Sequence, residues 1–202
     1  MKVEVKDGIK RTTLTRGESI EIEKGQEIKA VLKWTGVKNK NGEDSGDLDF
    51  YCFYIKKGAE KCGKIYYKNL GSIEGDPHIQ LLGDSEVPGE ETIIINDTGD
   101  LEYVLLAVYS AAENGKGGFA LYKPTITVSD SKNEVVLPIT EVKNSYWVAL
   151  CHINFTGSEA KILHCERYSG PSLERSPLLY KDGTFKMDVG DIEFKAFDLK
   201  AK

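Results

Sequence analysis

A chain of 202 residues with 40% hydrophobic and 29% charged side chains has ordinary globular composition and is long enough for one large all-β domain. Its formal net charge of −5 argues against non-specific nucleic-acid binding, which needs a basic footprint, and against attraction to anionic membranes. No apolar run approaches the length of a membrane span, and the first seven residues carry the acidic Glu4 and Asp7 where an export signal would have its basic region and apolar stretch, so a soluble cytoplasmic protein without membrane insertion is expected.

The chain opens its regular patterning with two short strands within residues 12–35, punctuated by Gly17 and Gly25. Ser19-Ile20-Glu21-Ile22 alternates, and in residues 29–34 Ala30, Leu32 and Trp34 share a face. A polar loop over 36–46 then delivers the chain into Gly46-Asp47-Leu48-Asp49-Phe50-Tyr51-Cys52-Phe53. From 48 to 55 one face carries Leu48, Phe50, Cys52 and Tyr54, the other Asp49, Tyr51, Phe53 and Ile55. A strand that is apolar on both faces belongs in the middle of a layered sheet.

A turn over 56–63 leads to a short strand at 64–67, and the next twenty or so residues, to 91, are expected to be one long functional loop with turn dipeptides Asp76-Pro77, Gly83-Asp84 and Pro88-Gly89. Residues 92–96 and 103–109 are buried strands. A Gly-rich connection over 112–118 precedes a weakly alternating stretch, 119–128, in which Pro124 indicates an edge or a bulge. Residues 134–137 form another strand, 146–155 and 160–167 a closing hairpin, and 192–197 a last alternating strand. No ten residues pattern as a helix, so the fold class is all-β, an antiparallel sandwich or barrel.

Asp47 and Asp49 stand two apart at a strand mouth, so alternation sends both carboxylates to one face. With the second acidic segment, 83–91, they suggest a hard-cation site. The four cysteines, 52, 62, 151 and 165, lack zinc-ribbon spacing. If the closing hairpin turns symmetrically about Ser158, Cys151 faces Cys165 and His152 faces His164, thiols on one face and imidazoles on the other. His78, in the long loop, is a soft-metal candidate. Nucleophile elbow, phosphate loop, zinc-protease and dinucleotide motifs are all missing from the sequence, leaving only dispersed acids such as Asp49 with Glu91 for an enzyme; a non-enzyme is expected.

Taken in order, the 29–34 strand, the Asp-Leu-Asp strand, Tyr66-Tyr67-Lys68-Asn69-Leu70, Gly83-Asp84 with its Glu-Glu-Thr-Ile exit, the 112–119 connector ending in Phe119 and the closing hairpin resemble the TerD family. That family comprises tellurium-resistance and general stress proteins. The resemblance runs from about residue 10 to 170. It implies a two-sheet β-sandwich with long acidic loops at one end that bind calcium, in cytoplasmic stress-response proteins without a firm catalytic activity. Residues 1–170 would be the TerD-like domain and 171–202 an extension packed on it.

Asp47 and Asp49 match the family's Asp-Leu-Asp, Asn69 the second Asn of its Tyr-Asn-Asn-Leu, Asp84 the Asp of Gly-Asp-Asn, and Glu90 and Glu91 the end of its acidic run. The segment between is compressed here to residues 85–89, so one Ca2+ site rather than two is expected. Calcium suits several oxygen donors in flexible geometry better than magnesium does. The expected function is that of a calcium-binding stress-response protein partnering calcium and other stress proteins or itself; the alternative is a calcium-shaped recognition module for carbohydrate or a partner protein.

Overall fold

The computed structural model describes residues 1–38, 41–42, 44–85, 87–96, 98–110, 119–141, 143–170 and 174–193. In chain order the strands are β1 (Lys2–Lys6), β2 (Ile9–Thr13), β3 (Ser19–Ile22), β4 (Ile28–Lys33), β5 (Val37–Lys38) and β6 (Asp44–Ser45). They continue with β7 (Leu48–Lys56), β8 (Gly63–Ile65), β9 (Gly71–Ser72), β10 (Ile79–Leu81), β11 (Glu90–Ile95) and β12 (Leu101–Ser110). After the single-turn helix α1 (Phe119–Tyr122) come β13 (Thr125–Ser129), β14 (Asn133–Pro138), β15 (Trp147–Asn154), β16 (Ala160–Tyr168), β17 (Leu178–Leu179) and β18 (Phe185–Lys186).

Two sheets make an all-β sandwich. The first has eight strands in the order β1-β2-β14-β13-β4-β11-β10-β9, the second six in the order β3-β16-β15-β12-β7-β8. Neighbours run antiparallel except β2 and β14, which are parallel. Alternation explains the layers. Ala30 and Leu32 of β4, Ile126 and Val128 of β13, and Phe50 and Cys52 of β7 turn into one core between the sheets.

The other face of β7 is buried too. Tyr51, Phe53 and Ile55 join Leu105, Ala107, Tyr109, Trp147 and Ala149 in a second apolar cluster on the outer side of the six-stranded sheet. Leu179, Phe185 and Met187 of the tail pack on that cluster. Around it Lys64 Nζ pairs with Glu193 at 2.6 Å, and the Tyr109 hydroxyl donates to the Glu174 carboxylate. Each large side chain buried there contributes about 1.5–3 kcal/mol, which is why β7, β12 and β15 carry aromatics on what would otherwise be a solvent face.

Several expectations change in the structure. Residues 2–13 form the β1–β2 hairpin, where no strand was expected before residue 12. The long loop is broken by β10, which pairs with β11 through Ile79↔Ile95 and Leu81↔Ile93. Residues 119–122 are helical, and the strand after Pro124 lies inside the sheet between β14 and β4 rather than at an edge; Pro124 precedes it, so its missing N–H costs no ladder bond.

The closing hairpin is one residue out of the symmetric register near its turn. Val148 and Ala149 face Tyr168 and Arg167, but Cys151 faces His164 and His152 faces Leu163. A bulge puts Cys165 and Glu166 opposite Leu150, with Glu166 at φ 39. Cys151 therefore lies in the inter-sheet core and Cys165 in the outer cluster, so the two thiols are on opposite faces. His152 stacks on Phe185 outside, whereas the His164 ring shares a 3.0 Å hydrogen bond with the Leu14 carbonyl. His78 sits at φ 59 with Nδ1 3.0 Å from the Ile73 carbonyl, a turn-closing role. The Gly-rich connector at 112–118 and residues 194–197 of the last expected strand lie outside the described residues.

Candidate functional site

Trp34, the residue after β4, holds the two acidic segments together. Its backbone N–H donates to the Gly89 carbonyl at 3.1 Å and its indole N–H to the Gly46 carbonyl at 2.9 Å. Gly46 is required at that spot. It has φ 125, and a Cβ there would stand 2.2 Å from Cε1 of Tyr122. The acidic exit of one loop and the mouth of β7 are thereby fixed side by side.

Strand alternation then selects between the two consecutive glutamates. Glu90 faces Lys33 across the β4–β11 ladder and makes an exposed ion pair with it at 2.9 Å. Glu91 is opposite Leu32, a core residue, so its side chain enters the space between the sheets. Only 3% exposed, it accepts from the Phe50 N–H at 2.8 Å and from the Ser85 N–H at 2.9 Å. One carboxylate thus fastens the long loop to the start of β7.

That carboxylate is under electrostatic stress. Burial, and after it the charges of Asp49 and Asp84, push Glu91 from an ordinary 4.5 up to about 8, against the lowering effect of the two backbone donors. Asp49 is itself 1% exposed, at the head of β7. Asp47 is half-buried just before the strand, and Asp84 is exposed on the loop. A shallow depression of about 210 Å³ is lined by Leu82, Asp84, Ser85, Glu90, Glu91 and Thr92.

The expected ligand set is therefore split. Asp49 and Asp84 both stand in electrostatic range of Glu91, but Asp49 lies on the outer face of β7 opposite Tyr109 while Glu91 enters between the sheets; Asp47 is at the same strand mouth as Asp49. Glu90 is turned away by alternation. Asn69 lies exposed in the turn after β8, its amide donating to the Lys64 carbonyl at 2.9 Å. Among the described residues, no three His, Cys, Asp or Glu side chains stand close enough together to hold a metal ion. The donors present are hard oxygens, the class that suits calcium, and the remaining coordination would have to come from carbonyls, water and a closer approach of Asp84. The role of Trp34 is not legible in the sequence, where alternation only sets it on one face of a strand with Ala30 and Leu32; nothing in that alternation announces the two carbonyls it holds.

No family model matches the chain, and no curated protein does. Among solved structures, the fold is similar to that of a homologue of the telluride resistance protein TerD from Streptomyces coelicolor A3(2), with TM-score 0.57 and 14% identity over 71% of this chain and 89% of that chain. It is similar also to a protein of unknown function, with TM-score 0.52 and 15% identity over 86% of this chain and 95% of that one. At these identities the likeness establishes a shared, TerD-like fold.

Proposed function

We propose that this is a non-catalytic, calcium-binding β-sandwich of the TerD type, acting in the cytoplasmic response to chemical stress, with residues 1–170 and the extension as one domain. The observation that carries the cation reading is Glu91, a buried carboxyl that burial and the neighbouring charges of Asp49 and Asp84 hold up to about 8. A divalent cation at that point replaces the proton, neutralises the repulsion and lets Asp84 close onto Asp49 and Glu91. Binding to the folded state alone stabilises it by mass action. The cation's role is then to order residues 82–91 on the mouth of β7.

Leu82 and Val87 are exposed on the same loop, which favours a second reading in which the ordered loop presents a recognition surface to a partner protein or a carbohydrate. Trp34 reports on both loops, so its fluorescence is the direct probe. Calcium added to metal-free protein should change Trp34 emission saturably, and Asp49→Asn should abolish the change. An emission spectrum indifferent to calcium up to about millimolar concentration, the weak end of natural calcium sites, would remove the proposal. If calcium does bind, screening partner proteins and glycans with and without it separates the two roles.

A further inference from the structure

β1 is one of the two edge strands of the eight-stranded sheet, and it has no residue buried on either face. Val5 is 73% exposed, and Met1 and Val3 are exposed beside it. A ribbon with water on both sides is marginal by itself, and its free edge offers unpaired backbone groups to another strand.

β2 determines which groups those are. Lys10 N donates to the Lys132 carbonyl at 2.9 Å and Leu14 N to the Val136 carbonyl at 3.0 Å, both on the β14 side. Ile9, Arg11 and Thr13 therefore turn their amides towards β1, where their register partners are Lys6, Glu4 and Lys2. Val3 and Val5 are left with N–H and C=O directed at the open edge. The two-residue turn Asp7-Gly8, with φ 52 and 80, holds that register.

The exposed edge alternates Lys2-Val3-Glu4-Val5-Lys6, and this pattern is complementary to itself. Two copies paired antiparallel about a two-fold axis at Val3 set Lys2 against Glu4 twice on one face. On the other face Val3 meets Val3, and Val5 meets Met1. An axis at Glu4 would oppose Glu4 to itself and Lys2 to Lys6. An axis at Val5 would bring Val3 against Asp7, which the turn holds at φ 52. We infer that β1 is a dimerisation strand whose partner is β1 of a second copy of this chain, joined about the Val3 axis so that the two eight-stranded sheets become continuous.

One short strand on each side makes a small contact, so the dimer is weak and concentration-dependent. Sedimentation velocity of the full chain from about 10 µM to about 1 mM, a range chosen for such weak contacts, should show the average mass rising towards twice the monomer. High salt should lower it, because the Lys2–Glu4 pairs are exposed. Lys2→Glu and Glu4→Lys should each sediment as monomers, and an equimolar mixture of the two should associate again, since one strand is then acidic at both positions and the other basic. Val3→Pro removes an edge-facing N–H without touching the β1–β2 ladder and should also be monomeric. A wild-type monomer at every concentration, association undiminished in these variants, or a mixture that stays monomeric overturns the proposal.

Discussion

Replacing Glu91 with glutamine keeps the shape of the side chain that joins the two acidic segments and removes its titration. In the unfolded chain this carboxyl titrates near 4.5, and in the folded one burial and the charges of Asp49 and Asp84 raise it to about 8. Below the lower value both states are protonated, and the neutral group's favourable contribution is fully present. As pH rises towards 8 the unfolded chain releases a proton that the folded chain keeps, so stability falls and stays low above it. The gap between 4.5 and about 8 corresponds to at most about 5 kcal/mol, reduced by water entering beside the loop. Glutamine has no such slope, but its single carbonyl can serve the Phe50 N–H or the Ser85 N–H and not both, which costs about 1–3 kcal/mol. Urea unfolding of metal-free protein between about pH 3.5 and pH 9, spanning both titrations, should show Glu91→Gln weaker than wild type at the acid end. The gap should close or reverse at the alkaline end. Two curves that run parallel over the whole range would refute the reasoning.

Gly46→Ala should lower stability by about 1–3 kcal/mol, as overpacking does, because its Cβ meets the Tyr122 ring at 2.2 Å; a thermal melt within a degree of wild type would contradict this. Glu166 is buried, and its Oε1 accepts from the Thr140 N–H, the Glu141 N–H and the Tyr168 hydroxyl at 2.7, 2.9 and 2.8 Å. Burial opposes these bonds, yet together they hold its carboxyl below the ordinary value, so its contribution is present above the normal carboxylate range and lost as pH falls from there through the lowered folded value. Glu166→Ala should cost about 3 kcal/mol or more by stranding those donors, measured by urea unfolding near neutral pH. A chain ended at Gly170 uncovers Tyr51, Phe53, Tyr109 and Trp147, so it should bind a hydrophobic dye and unfold at lower temperature than the full chain.

The parts of this fold most visible in the sequence are those whose side chains answer to burial. Residues 48–55 announced a strand covered on both faces because both alternating sets are apolar, and β7 has a core on each side. Ala30, Leu32 and Trp34 marked the inner face of β4 for the same reason. β1 does alternate in Lys2-Val3-Glu4-Val5-Lys6, but the run is only five residues with two small apolar side chains, and neither face is buried, so it does not stand out as a strand before the pairing with β2 is known. β10 is three residues long, too short for alternation to be distinguished from a turn. The closing hairpin was found but shifted by one residue near its turn, because a bulge depends on backbone geometry at Glu166 and has no side-chain signature there.

At the candidate site, period-two alternation separates Glu91 from Glu90, one inward and one outward, although the two are equivalent as members of an acidic run. Asn69 matches a position in the resemblance, but its amide is spent locally on Lys64. The clasp formed by Trp34 needed the fold, since Gly46 and Gly89 reach it from opposite directions along the chain.

Calcium titration by calorimetry at about pH 7, in two buffers of different ionisation enthalpy, tests the central claim most directly, because a cation that takes the place of the Glu91 proton must release that proton. The wild-type protein should give a saturable heat of one site, with close to one proton released per ion, and Asp49→Asn and Glu91→Gln should each lose the heat. A wild-type titration without heat in either buffer, or variants that bind as the wild type does, would contradict the account.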